Sequence, residues 1–206
     1  MGMAGTGRSS AKRAQIASAA RKLFLAHGFA GTSMDAVTAE AGVSKQTLYR
    51  YFPTKVALLG DILYGGLNTL VLQPPDLTRL NTLAELRASM VDFAETVTHS
   101  LMKPEAVALV RLVLGEAFRV AELRKAFRDA LPGQMLARTQ AVISHAADRG
   151  LIAAKDPALT ARMFVGPLMT YVALDGFLSS EPSAPPSRAE LEAIIDAFLA
   201  GVRVEP

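Results

Sequence analysis

In nearly every segment of this 206-residue chain the apolar residues recur at steps of three and four, and no stretch alternates. That period gathers them on one stripe of an α-helix, whereas a half-buried strand needs a period of two. Glycine and proline punctuate the runs at their boundaries. The fold class follows as all-α, with about nine helices.

The boundaries can be placed from capping chemistry. A first helix is expected over about 10–26, with Ile16, Ala19, Ala20, Leu23 and Phe24 on one stripe and Gly28 ending it. Thr32-Ser33 opens a short second helix to residue 41. Thr32 stands at capping-box spacing from Asp35, Val37 and Ala41 face inward, and Gly42 supplies a left-handed stop. Ser44 caps a third helix, 45–52, which Pro53 ends; Thr54 caps a fourth, 55–72. Pro74-Pro75 marks a seam between a head and a body. Beyond it, helices are expected over 78–102, 104–120, 122–149 (with a break at Pro132-Gly133), 156–179 and 187–203, the last two joined by the rigid connector EPSAPPS. Functionally, residues 1–55 read as a basic arm and head, and residues 56–206 as the body, with helix 55–72 connecting them.

Composition narrows the function. The absence of cysteine excludes disulfides and thiolate metal sites, and His27, His99 and His145 form no pair at ligand spacing. No nucleophile–base constellation or Gly-rich phosphate loop is present, so no catalytic residue, metal or cofactor is expected and an enzyme is disfavoured. The opening MGMAGTGRSSAKRA lacks the apolar core of a secretory signal. The longest apolar stretch, 163–174, is shorter than the roughly 20 residues that span a bilayer, so a soluble, cytoplasmic protein with no membrane partner is expected.

The net charge of +3 conceals an asymmetry. Up to residue 55 there are eight basic residues against two acidic ones; the remainder carries 14 basic and 17 acidic residues. A basic head on a mildly acidic body suits a nucleic-acid partner.

The stretch GVSKQTLYRYF, residues 42–52, supplies the chemistry for one. Two short helices joined by a glycine turn, here 33–41 and 45–52, make a helix-turn-helix, whose second helix enters the major groove of double-stranded DNA. Leu48 and Phe52 lie four apart and share an inward face, leaving Lys45, Gln46, Tyr49 and Arg50 on the opposite one. Gln46 can pair bidentately with adenine, Lys45 can reach guanine or phosphate, and Tyr49 can touch a thymine methyl. Thr32, Ser33, Ser44, Thr47, Tyr51 and Lys55 are the expected phosphate contacts, together with helix N-termini at 33, 44 and 54. Arg8, Lys12 and Arg13 read as a flexible basic arm.

From about Ile16 to Leu63 the chain resembles the DNA-binding head of the TetR family of transcriptional repressors. The resemblance is carried by Phe24, Gly28, Phe29, Thr32-Ser33, Ala36-Val37, Ala41-Gly42-Val43-Ser44, Thr47-Leu48-Tyr49, Tyr51-Phe52 and Lys55. It implies a homodimer whose body holds a small-molecule effector pocket and whose last two helices build a four-helix interface. Two departures, Gln46 where relatives often carry glycine and Arg50-Tyr51 in place of an aromatic–histidine pair, mean that no operator sequence carries over.

In the body, Phe93, His99, Met102, Arg111, Phe118, Phe127, Met135, Phe164 and Tyr171 are candidates for the effector pocket; methionine and phenylalanine at helical spacing more often serve a core than a ligand. Met169, Ala173, Phe177, Leu191, Ile194, Ile195, Phe198, Leu199 and Val202 are candidates for the dimer interface. The expected function is a repressor that binds a palindromic operator as a dimer and is released by a small molecule, with helix 55–72 as the lever. The rival is a non-specific nucleoid-type binder, which has no use for base-reading groups such as Gln46 and Tyr49.

Overall fold

The computed structural model describes residues 3–71, 76–181 and 183–204. Among them the chain forms ten α-helices and no strand: α1 (Met3–Gly31), α2 (Met34–Ala41), α3 (Lys45–Tyr51), α4 (Lys55–Val71), α5 (Leu83–Leu101), α6 (Pro104–Ala117), α7 (Ala121–Arg128), α8 (Gln134–Asp148), α9 (Pro157–Thr170) and α10 (Arg188–Gly201). A 3-10 turn, Leu77–Arg79, precedes α5, and π-helical segments at Asp129–Gly133 and Tyr171–Phe177 follow α7 and α9. The break expected within 122–149 falls at Asp129–Gly133, between α7 and α8. Pro132 lacks the N–H that the ladder needs, and the chain widens into the π segment around it. The seam at Pro74-Pro75 lies outside the described residues. No described helix is long and apolar enough to cross a membrane.

The chain forms two compact units, residues 1–66 with 108–128 and residues 67–107 with 129–206. In the first, α1 packs on α2, and Ile16, Ala20, Phe24, Phe29, Val37, Leu48 and Phe52 are buried. Gly28 sits at φ 74° and breaks the regular helix of α1, a geometry that glycine adopts without a Cβ penalty. The Phe29 ring lies 5.5 Å from that of Phe24. Gly42 takes the left-handed conformation at the end of α2 (φ 59°), and its N–H donates to the Ala39 carbonyl.

In the second unit α10 docks on α5 and α9 on α8. Leu86, Met90, Ala94 and Val97 of α5 and Leu191, Ile195 and Leu199 of α10 are buried apolar positions. Ion pairs bracket this contact: Arg87 donates to both carboxylate oxygens of Asp196 (2.6 and 2.9 Å), and Arg188 reaches Glu95 at 2.7 Å. Thr82–Glu85 and Ser187–Glu190 form capping boxes at the starts of α5 and α10.

These contacts set an acid limit on stability. The N–H of Asn81 and the Thr82 hydroxyl hold the Glu85 carboxyl below its ordinary value of 4.5. The Ser187 hydroxyl does the same for Glu190, and the Arg87 guanidinium lowers Asp196 from 3.8. Each folded-state pKa is depressed, so the stabilisation is complete above the ordinary values and is lost as pH falls through the lowered ones. The urea midpoint is expected to be flat above about pH 5 and to drop below about pH 4, with a shallower drop in Glu190→Gln. Identical acid profiles for variant and parent would exclude the α10 cap as a contributor.

Candidate nucleic-acid interface

The seven residues of α3 are locked into the head from one side. Ser44 Oγ accepts from the Thr47 N–H at 3.2 Å, and the two hydroxyls lie 2.9 Å apart, so Ser44 serves as the N-cap. Leu48 and Phe52 have almost no exposed surface. Lys45, Gln46 and Arg50 are exposed, and Tyr49 keeps 46% of its surface in solvent. The polar face expected from the helical period is therefore an outward surface.

Two of its cations are held lightly. Lys45 Nζ lies 2.8 Å from Asp35 Oδ2 of α2, and this hydrogen bond raises the lysine pKa. Both partners are about two-thirds exposed, so exchanging Asp35 for a phosphate or a base costs little. The Arg50 guanidinium stacks 5.3 Å from the Tyr51 ring centroid, and the Tyr51 hydroxyl donates to Ser9 Oγ at 3.2 Å.

Two expected phosphate contacts are used inside the fold. Thr32 is buried, and its hydroxyl donates to the Gly28 carbonyl at 2.8 Å and the Leu23 carbonyl at 3.2 Å. Both carbonyls belong to the last turns of α1, so Thr32 ties the start of α2 to the end of α1. The N-cap of α2 is consequently Ser33, whose Oγ accepts from the Ala36 N–H at 3.0 Å, and the Thr32–Asp35 capping box does not form. Lys55 Nζ donates to the Phe29 carbonyl at 2.6 Å and the Thr32 carbonyl at 2.8 Å, 4.4 Å from the Phe29 ring centroid. Its ammonium caps the end of α1 instead of standing free for phosphate. Lys12 and Arg13 belong to α1 and not to a flexible arm. Arg13 chelates Asp61 Oδ1 (3.0 and 2.6 Å) and lies 5.1 Å from the Phe52 ring centroid, tying α1 to α4 and to the end of α3. The side chain of Arg8 is not among those described.

The body candidates separate by burial. Met102, Met135 and Phe164 are buried, and Phe93 and Phe198 flank Phe164 with ring centroids at 6.1 and 5.5 Å. Phe127 and Tyr171 are half-buried and Arg111 is exposed. Phe118, expected in a cavity, lies 82% in solvent because the chain leaves α6 in a turn there. His99 is exposed, with Nδ1 3.0 Å from the Glu95 carbonyl of its own helix.

Among the interface candidates, Leu191, Ile195, Leu199 and Val202 are buried within the single chain, since docking on α5 turns that stripe inward. Met169, Ala173, Phe177, Ile194 and Phe198 are half-buried. The exposed stripe lies one position round: Leu159, Met163, Leu174 and Leu178, each more than half exposed, beside exposed Ala193, Ala197 and Ala200 on α10. Its four-residue spacing is visible in the sequence once the two faces of the helix are separated.

An all-helical chain with an anchored helix-turn-helix and an outward polar face on its second helix is a DNA-binding regulator. Comparison with known proteins gives the family. The profile for bacterial regulatory proteins, tetR family, matches residues 16–62, and that for the AefR-like transcriptional repressor C-terminal domain matches residues 88–201. A solved TetR-family transcriptional regulator from Mesorhizobium loti is 31% identical, with a TM-score of 0.78 over 96% of this chain and 99% of that one. The flavonoid-responsive regulator FrrA is 29% identical, with a TM-score of 0.74 over 96% of this chain and 100% of its own. An uncharacterized HTH-type transcriptional regulator of Mycobacterium bovis is 25% identical over 91% of this chain and 85% of its own length. The chain belongs to the TetR family of transcriptional regulators.

Proposed function

We propose that the protein is a ligand-responsive repressor that binds a palindromic operator as a homodimer and leaves it when a small molecule occupies the body. The observation that carries the reading is the outward face of α3, with Gln46 and Tyr49 in solvent above a buried Leu48–Phe52 anchor. Residues 1–55 act as the DNA-binding head and residues 56–206 as the ligand-binding and dimerisation body. Ser33, Ser44, Thr47, Arg50 and Tyr51 are positioned around the reading face as backbone contacts.

The homodimer is supported by the uncharged stripe Leu159, Met163, Leu174 and Leu178 and the small residues of α10 beside it, which let a second pair of helices approach closely. Two recognition helices on a two-fold axis read a palindrome about one helical turn apart. The response of FrrA to flavonoids supports a small-molecule effector here. Such an effector releases DNA only by its difference in affinity for the DNA-free form.

Selection of bound fragments from random or genomic DNA is expected to return a symmetric site; recovery of fragments without a shared sequence would favour non-specific binding. On that site Gln46→Ala is expected to weaken binding by about 1–3 kcal/mol and relax preference at one base position per half-site. An equal loss on every duplex would mean that Gln46 does not read bases.

A further inference from the structure

Four helical threonines, Thr38, Thr98, Thr160 and Thr170, follow one rule: each hydroxyl donates to the carbonyl four residues earlier, at 2.8–3.1 Å. Thr139 on α8 departs from it. The residue is only 5% exposed, and its Oγ1 is buried without a hydrogen-bond partner. Two other side chains of α8 share the condition: Arg138 Nη1 and His145 Nε2 are buried and unpartnered. No ion pair or hydrogen bond engages Arg138 among the described residues.

Buried polar groups without partners are rare in folded proteins, and each carries a desolvation penalty that some partner normally offsets. Three within eight residues of one helix form a cluster with an unmet need. Its chemistry is specific. A guanidinium cannot shed its charge, and its planar fork matches a carboxylate. Thr139 follows Arg138 on α8, about 100° round the axis, and the long arginine stem can reach across so that one carboxylate accepts from both. A single unpaired cation balances one negative charge and leaves a phosphate dianion undercompensated. His145 lies seven residues on, on the same flank as Arg138 and about 10 Å along the axis, where its imidazole can donate or accept.

We infer that Arg138, Thr139 and His145 form the polar lining of the effector site, and that the effector is an elongate monocarboxylic acid. Its carboxylate meets Arg138 and Thr139, and a second hydrogen-bonding group about two helical turns away meets His145. The partial exposure of Arg138 leaves the carboxylate end open to solvent for entry. The inference rests on the reading of the body as ligand-binding and adds the class of ligand.

The test uses the full-length protein and two probes of equal length, 10-hydroxydecanoate and decane-1,10-diol, which differ only in the carboxylate. Calorimetry is expected to show the acid binding at least about tenfold tighter than the diol, equivalent to about 1.4 kcal/mol, with the preference lost in Arg138→Met. Equal affinity for the two probes, or an unchanged preference in Arg138→Met, overturns the proposal, as does tighter binding of 10-hydroxydecyl phosphate.

Thermal unfolding of the ligand-free protein gives a second arm. Arg138→Met and Thr139→Val remove groups that lack partners, so each is expected to raise the midpoint by about 2–4 °C. A lowered midpoint in both would show that ordered water or the fold itself satisfies these groups, and would overturn the site. Carboxylate binding that leaves operator binding unaffected supports the site while refuting effector-driven release, which separates the two readings.

Discussion

Exchanging Lys55 for methionine is expected to lower the stability of the head by about 1.5–3 kcal/mol, the range for hydrogen bonds to a charged group, and to weaken binding to every duplex alike. The salt dependence of the remaining binding should stay unchanged. A lysine in contact with phosphate releases counterions on binding, so its loss would flatten the slope of affinity against salt by about one unit per half-site. Lys55 makes its contacts within the protein: its ammonium bridges the Phe29 and Thr32 carbonyls and lies over the Phe29 ring. Methionine keeps the apolar stem and removes the donor, leaving those carbonyls unsatisfied. Chemical denaturation and a salt titration on one duplex decide the matter. A flattened slope with normal stability would return Lys55 to the DNA interface.

The second large effect is expected from Leu174→Glu. Leu174 is 58% exposed in the single chain, so the protomer should fold normally, with an unchanged helical circular-dichroism spectrum. In a dimer that covers the Leu159–Leu178 stripe, the same carboxylate would be buried without a partner, which costs several kcal/mol. Sedimentation should then show monomers, and operator affinity should fall by about a hundredfold or more, about 2.8 kcal/mol. A dimer of normal strength in this variant would place the interface elsewhere.

The helical boundaries were legible because they follow from local chemistry. Gly42, Ser44, Pro104 and Ser187 punctuate the chain where the structure does, since caps and breakers act within one turn. The outward face of α3 was legible for the same reason: Leu48 and Phe52 share a face at helical spacing, and the polar residues take what is left. Side-chain partners across the fold were not. That Thr32 and Lys55 serve the end of α1 depends on Gly28 turning the chain back so that its carbonyls meet residues four to 26 positions later. The exposed stripe lies one position round from the expected one because both faces of the α9 helix and its π extension are apolar, and only docking decides which turns inward. Arg138, Thr139 and His145 carried no signal at all: their distinction is a missing partner, which spacing cannot express.

At seven residues, α3 is too short to persist as a helix on its own. Its shape comes from the Ser44 cap and from Leu48 and Phe52, which are buried in the head. Gln46 and Tyr49 stand in solvent and contribute little to that shape. Under the proposed function, substitutions there rewrite which operator is addressed while the scaffold stays intact, so target choice and fold integrity become separable traits and new specificities can evolve, or be engineered, without compensating changes elsewhere.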